Sequence, residues 1–231
     1  MIWVIIPTYN EERALPHTLA SVFQQVGNYR IIVVDGGSLD RTDEIVRNHP
    51  QIAWVTAPKG RASQMNAGAD FVRTQKGSSD DWLLFLHADT LLPTDAFTQL
   101  HDLASDENCR AGGFHHQFSG NDWRLRMISW LDNFRCHHSR IIYGDQALFV
   151  RVKLFHHLGG FPLQPMLEDV RFGEQLLVHT TPLLLASPVV TDGRKFIQMG
   201  IWRSFIRVLM IILHVEYGLP TFMPSFFADV R

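Results

Sequence analysis

Asp81-Trp82-Leu83-Leu84-Phe85-Leu86-His87-Ala88-Asp89-Thr90 decides how the rest of the chain is read. Trp82 to Leu86 is an apolar run of a length that suits a buried strand, although periodicity alone does not separate it from a buried helical turn. The run stops abruptly at His87, Asp89 and Thr90. Burying a carboxylate without a partner is costly, so an acid beside a core strand calls for water, a partner or a metal. In open α/β sheets, ligands gather at the carboxyl ends of strands, which is where Asp89 falls.

Working outward, the same pattern repeats. Ile2–Ile6 reads as a first buried strand and Arg30–Val34 as a second. Gln51–Thr56 reads as a third and Trp82–Leu86 as a fourth. Between them, Ala14–Val26 has helical spacing, Asp40–Asn48 reads as a short helix with Ser38 as its N-cap, and Ala62–Thr74 reads as a longer helix. Strand alternating with helix predicts a mostly parallel α/β sheet flanked by helices. Beyond residue 105 the rhythm changes. Ala111–Ser119 and Gln146–Val150 read as strands, Trp123–His138 and Val170–His179 as helices, Gly159–Pro162 as a turn and Pro188–Thr191 as a last strand. This half is expected to complete the sheet rather than to form its own domain.

Composition narrows the class. A chain of 231 residues is long enough for one large domain. Hydrophobic residues at 46% and charged residues at 19% suit a globular enzyme and argue against disorder. A net charge of -2 with no basic block argues against nucleic-acid binding. Cys109 and Cys136 have neither metal nor redox spacing and point to a reducing, cytoplasmic setting. Met1–Pro7 lacks the charge and length of a secretory signal. No stretch stays apolar and charge-free for about 18 residues, so no membrane span is expected.

Three polar loops follow three strands and should open on one edge of the sheet. Thr8–Glu11 offers hydroxyl, amide and carboxylate groups. Asp35 follows the second strand, and Gly36 and Gly37 would let a ligand approach the backbone. Lys59-Gly60-Arg61 precedes a helix, where cations and backbone amides together favour an anion. Singly, each loop reads better as a turn, a helix cap or surface charge. Together, at successive strand ends, they predict a nucleotide site, although no G-x-G-x-x-G follows the first strand. Glu168 and Asp169 open a helical segment. Close like charges raise one pKa and suit a general base, but acids also simply favour a helix N-terminus. Tyr143-Gly144-Asp145-Gln146 reads either as an acceptor-side loop or as a turn. The neighbouring histidine pairs, His115-His116 among them, are expected at surface or half-buried positions, because adjacent residues point apart.

Val4-Ile5-Ile6-Pro7-Thr8-Tyr9-Asn10-Glu11, Ile32-Val33-Val34-Asp35-Gly36-Gly37-Ser38-Leu39-Asp40, Phe85-Leu86-His87-Ala88-Asp89, Gly159-Gly160-Phe161 and Glu168-Asp169 resemble, in that order, family-2 glycosyltransferases of the GT-A fold. The Leu-His-Ala-Asp-Thr and Tyr-Gly-Asp-Gln strings resemble a bacterial subgroup of that family. The resemblance runs over about residues 1–195. It implies a nucleotide-sugar donor, usually UDP-linked, a divalent ion (Mn²⁺ or Mg²⁺) on the diphosphate, and transfer with inversion. It implies donor binding by Pro7, Thr8, Tyr9, Glu11, Asp35, Gly36, Lys59, Arg61, Asn66 and Ala88. Asp89, with His87, would hold the metal. Asp169, with Glu168 beside it, would be the catalytic base. Apart from the resemblance, Tyr143, Asp145 and Gln146 form a polar loop that reads as lining the acceptor pocket, as supporting the metal's ligands or as a simple turn. Residues 1–105 would form the donor half, 106–195 the acceptor half, and 196–231 a helical tail.

Two departures stand out. The family's Asp-x-Asp appears as His87-Ala88-Asp89, and imidazole suits Mg²⁺ less well than carboxylate does. Nothing resembles the family's Gln-x-x-Arg-Trp element, which disfavours a processive synthase. The tail Phe196–Val215, with Arg203 and Arg207 on one helical face, reads as a helix packed on the domain, on a second copy or in a membrane interface. Leu219–Phe227 adds apolar Phe222, Met223, Phe226 and Phe227. An acceptor that is either a small molecule or lipid-linked is consistent with this tail. The competing readings are a sugar nucleotidyltransferase, whose glycine-rich loop after the first strand is missing at Pro7–Glu12, and a non-catalytic nucleotide-binding module.

Overall fold

A computed structural model describes residues 1–164, 167–206 and 209–210. Four parallel strands form its first half: β1 (Ile2–Thr8), β2 (Tyr29–Asp35), β3 (Ile52–Thr56) and β4 (Trp82–Phe85). They alternate with α1 (Leu15–Phe23), α2 (Thr42–Arg47) and α3 (Arg61–Thr74). The second half contributes β5 (Thr90–Leu91), α4 (Ala96–Asp102), β6 (Ala111–Phe118), α5 (Trp123–Ser139), β7 (Phe149–Arg151), α6 (Val152–His157), α7 (Glu168–His179), β8 (Leu183–Thr191) and α8 (Arg194–Gln198). One sheet runs β3-β2-β1-β4-β7-β6-β8-β5. The pairs among β1 to β4 are parallel, as is β6 with β8. β7 is antiparallel to both its neighbours, and β5 is antiparallel to β8. The sheet is therefore mostly parallel, as its alternating elements predict.

Why the strands read as unbroken apolar runs is visible in β1. Ile2, Val4 and Ile6 face a core shared with Leu15, Leu19 and Val22 of α1 and Phe97 and Leu100 of α4. Trp3 and Ile5 point the other way, among Met65 and Val72 of α3 and Phe155 and Phe172 of α6 and α7. Strands covered on both faces need no polar alternation.

The sheet also curls. Only Leu86–Asp89 separates β4 from β5, yet four inter-strand steps lie between them in the sheet. Four steps of about 4.8 Å amount to about 19 Å on a flat surface. A four-residue link reaches about 17 Å at most, and this link is also turned by a bond from Thr90 N–H to His87 O. The second half therefore folds back towards the first. α1 stitches this return: Thr18 Oγ1 donates to Ala88 O (2.7 Å), Leu92 N–H donates to Ser21 Oγ (3.1 Å), and Gln25 bonds Pro93 O and Phe97 N–H.

Several local expectations change. Ser38 does not cap α2. The helix starts at Thr42, and the Asp40 carboxylate takes the Thr42 amide (3.0 Å), because an aspartate two residues ahead of that amide satisfies it directly. Val26 lies beyond α1 and is exposed. The expected strand Gln146–Val150 is Phe149–Arg151, since Gly144–Gln146 coils into a 3-10 turn. The last strand is longer, Leu183–Thr191, and β5, α4 and α6 are additional. His116 is 1% exposed, not a surface or half-buried position, because the alternation along β6 puts it on the same inward face as Phe114 and Phe118. Both cysteines are buried, and burial pushes the Cys136 thiol up to about 11.

The start of the tail packs on the domain. Ile201, with Phe196 and Phe205 beside it, rests on Phe118, Leu125 and Ile128. No helix among the described residues is long and apolar enough to cross a membrane. Arg207 and the expected apolar segments 211–215 and 219–227 lie outside the described residues.

Gly112 marks the tightest strand contact in this core. A Cβ there would stand 2.3 Å from Leu183 O and 2.5 Å from Phe149 Cζ. Gly112→Ala should cost about 1–3 kcal/mol by overpacking, measured as a lower urea midpoint with an unchanged m-value.

Candidate active site

The carboxyl ends of β1, β2 and β3 stand in register: Thr8 is opposite Asp35, and Asp35 is opposite Thr56. Beyond them, loops 9–12 and 36–42 interlock. Asn10 N–H donates to Ser38 Oγ, Leu39 N–H donates to Asn10 Oδ1, Glu11 N–H to Thr42 Oγ1 and Glu12 N–H to Asp40 Oδ2. Asp35 is 5% exposed, and its carboxylate accepts from the Gly37 and Ser38 amides and the Ser38 hydroxyl. Asp35 thus shapes the loop. Thr8 is buried with its hydroxyl on Val34 O. Tyr9 and Lys59 come together, the ammonium 3.6 Å from the ring centre. Arg61 stands exposed on the first turn of α3, after Gly60 at φ +145°, a conformation natural to glycine.

A residue without a sequence signal organises this ledge. Gln64 is 4% exposed, and its Nε2 donates to Thr8 O (2.7 Å) and Val34 O (2.8 Å), locking the ends of β1 and β2 under the loops. Only its place on the buried face of α3, among Ala62, Met65 and Ala69, hinted at a role. Asn66 is equally committed. Its amide takes Phe161 N–H (2.9 Å) and donates to Phe161 O (2.8 Å), bracing the Gly159–Gly160 turn instead of facing the ledge.

His87, one turn beyond β4, reaches the opposite wall. Its Nε2 lies 2.8 Å, and Asp169 Oδ2 3.3 Å, from where a Cβ on Gly144 would sit. Gly144 N–H donates to Asp169 Oδ2 (2.7 Å), and Val170 N–H to Oδ1 (2.8 Å). The chain thus brings His87, Gly144 and Asp169 to one spot. Glu168, next to Asp169 at the start of α7, is 4% exposed. Tyr143 stacks under the Arg135 guanidinium at 3.4 Å, and Gln146 is wholly buried, its Oε1 accepting from Tyr143 N–H. Burial pushes the Asp145 carboxyl up to about 6 against the pull of His116; Asp132 and Asp169 add to the rise and Arg135 opposes it.

Asp89 belongs to a different recess. It lines a cavity of about 230 Å³ with His17 and Thr18 of α1, Ser119, Asp192 and Arg194. Asp192 N–H donates to Asp89 O (3.2 Å), and the Asp192 carboxylate holds Arg194. Ala88 is buried, its carbonyl tied to Thr18. Pro7 and Glu11 are half-buried at the mouth of the ledge.

A family model, glycosyl transferase family 2, matches residues 3–162. The chain belongs to glycosyl transferase family 2. A PGL/p-HBAD biosynthesis glycosyltransferase of Mycobacterium bovis is 30% identical over 182 residues, 71% of this chain and 64% of that relative. The chain thus spans less than two thirds of the relative's length. Among solved structures, Staphylococcus aureus TarS 1–349 with UDP-GlcNAc aligns at a TM-score of 0.63 with 15% identity, over 83% of this chain and 58% of that one. A mannosyltransferase of Pyrobaculum calidifontis with GDP-Man and Mn²⁺ aligns at 0.59 with 21% identity, over 83% and 56%. This family-2 chain has the GT-A-like fold of these neighbours.

Gln64 offers a direct check on the ledge. Gln64→Ala strips two buried carbonyls of a donor and should cost about 1–3 kcal/mol. Amide exchange should quicken at residues 36–42 before it does at β4.

Proposed function

We propose that this family-2 glycosyltransferase is an inverting, non-processive enzyme that moves a sugar from a UDP-linked donor to an acceptor hydroxyl. The observation that carries this reading is the convergence of His87 and Asp169 on Gly144, beside the interlocked loops at the ends of β1 and β2. In this reading the nucleoside lies on the Tyr9–Lys59 ledge, between Glu11 and the Asp35–Gly36 turn. Residues 1–105 make the donor half, and 106–195 bring the base and the acceptor wall.

Inverting transfer needs the acceptor oxygen deprotonated as it attacks the anomeric carbon, while the bond from that carbon to the diphosphate oxygen breaks. Asp169 takes the proton. Two backbone amides hold its oxygens in place, one each, which leaves each oxygen a free lone pair direction for the incoming hydroxyl. The diphosphate leaves with the bonding electrons. Lys59, Arg61 and Arg194 are the cations at hand for the charge that develops.

A divalent ion fits beside Asp89. Its half-exposed carboxylate opens on a recess it shares with Asp192, whose own carboxylate is held by Arg194, and carboxylate oxygen suits Mn²⁺ or Mg²⁺. When bound, such an ion supplies Lewis-acid stabilisation of the diphosphate. His87 does not complete that set, because the tip of its ring is aimed at Gly144. Its role in this reading is to line the reacting centre beside Asp169. A donor with UDP is favoured by the UDP-GlcNAc complex of the TarS neighbour, although the mannosyltransferase neighbour carries GDP-Man.

Two measurements test the reading. In a thermal-shift panel of UDP-, GDP- and TDP-sugars with Mn²⁺ or Mg²⁺, a UDP-sugar with Mn²⁺ should raise the melting temperature most, since only ligands of the native state stabilise it. Asp169→Asn should keep that shift yet lower donor turnover, read as UDP release, by at least about 10²-fold. Wild-type turnover in this variant would remove Asp169 as the base. Robust pyrophosphate exchange from a nucleoside triphosphate and a sugar phosphate would replace transfer with nucleotidyl chemistry.

A further inference from the structure

β6, α5 and the 3-10 turn at Gly144–Gln146 each bring one polar side chain to the same buried point. His116 comes from β6, Asp132 from α5 and Asp145 from the turn, and one donor atom of each lies within 4.8 Å of the others. His116 is 1% exposed, and neither ring nitrogen makes a hydrogen bond. Asp145 Oδ1 is also buried without a hydrogen-bond partner. Native interiors rarely leave such atoms unsatisfied, and three in one cluster indicate that something else fills the gap.

We propose that His116, Asp132 and Asp145 form a divalent transition-metal site, separate from any ion that accompanies the donor beside Asp89. The spacings speak against a shared proton. Nδ1 of His116 stands 3.7 Å from Asp132 Oδ2, and Nε2 stands 3.8 Å from Asp145 Oδ2. An imidazolium bridging two carboxylates would draw them to about 2.7–2.9 Å. Two ligands about 2.1 Å from a tetrahedral ion stand about 3.4 Å apart. The observed gaps are too wide for charge-assisted hydrogen bonds and lie on opposite ring nitrogens. An ion takes only one of those nitrogens, so the ring shares it at that spacing with one carboxylate, while one ligand atom from each of the three residues lies within 4.8 Å of the others. The remaining edge closes by rotation of one carboxylate about its χ2, which is a soft torsion.

Neighbouring groups already orient the ligands. Arg135 takes Asp132 Oδ1 through Nε (3.2 Å) and an Nη (2.7 Å), which leaves Oδ2 facing His116. Asn133 clamps the His116 backbone on both sides, accepting from its N–H (2.7 Å) and donating to its carbonyl (2.9 Å). Such supporting contacts are what hold metal-binding side chains in position. One imidazole and two carboxylates favour Zn²⁺, Mn²⁺ or Fe²⁺ over Mg²⁺ or Ca²⁺. The ion would pin the turn whose Gly144 amide holds Asp169, yet its binding requires no nucleotide and stands apart from the donor reading.

The test uses the full chain, stripped with EDTA, dialysed against Zn²⁺ or Mg²⁺ without nucleotide, and assayed for bound metal and melting temperature. Wild type and Asp89→Asn should each retain one Zn²⁺ per chain with a raised melting temperature, and Mg²⁺ should leave it unchanged. His116→Gln and Asp145→Asn, checked as folded by circular dichroism, should bind Zn²⁺ at least about 100-fold more weakly. Co²⁺ should give ligand-field absorption bands in wild type that vanish in His116→Gln. No stoichiometric ion in wild type overturns the proposal even if the variants do not fold. So does Zn²⁺ binding that survives in His116→Gln but is lost in Asp89→Asn.

Discussion

Leu86–Asp89 is too short to let the sheet lie flat. β4 sits in the middle of the sheet order and β5 at its far edge, so the four-residue link forces the second half to curl back over the ends of the first. Everything chemical follows from that closure. It carries β8 and the Asp192–Arg194 segment to Asp89, and it sets the two-residue strand β5 against β8. The return is held by polar side chains of α1 and the turn after it, Thr18, Ser21 and Gln25, each bonded to backbone of residues 88–97. These are buried hydrogen bonds, whose loss is costly because each leaves a desolvated group behind.

The same closure sets the neighbours of the linear motif. His87 and Asp89 are two residues apart, yet the turn between β4 and β5 sends them to different neighbours. His87 meets Gly144 and Asp169, whereas Asp89 meets α1 and the segment after β8. Asp35 and Asn66, which carry groups fit for a ligand, are spent on holding loops in place: Asp35 on the Gly37–Ser38 turn, Asn66 on Phe161. An active site built on loops needs such rigid supports, since positional errors of an ångström are expensive in catalysis.

Much of the architecture was legible from residue patterns. Runs such as Ile2–Ile6 and Trp82–Leu86 announce strands buried on both faces, and their alternation with amphipathic helices announces parallel order. The second half was less legible because its strands are short or irregular. β5 has two residues and β7 three, too few for a period of two to emerge, and β8 carries extra residues between its partners of Phe114 and His115. Gln64 and His116 escaped for the same reason. Each is a polar residue whose importance comes from partners far away in sequence: Thr8 and Val34 for Gln64, and Asp132 and Asp145 for His116.

Local sequence was sufficient for the chemical inventory and for the order of elements. Backbone propensity, apolar periodicity and strings such as Asp35-Gly36-Gly37-Ser38 act over a few residues and need no knowledge of the rest of the chain. Which carboxylate faces which cleft was decided only in three dimensions. Side-chain direction at His87, Asp89, Asp145 and Asp169 depends on how far the sheet curls, and that curl is a property of the whole strand order and of the reach of one short link.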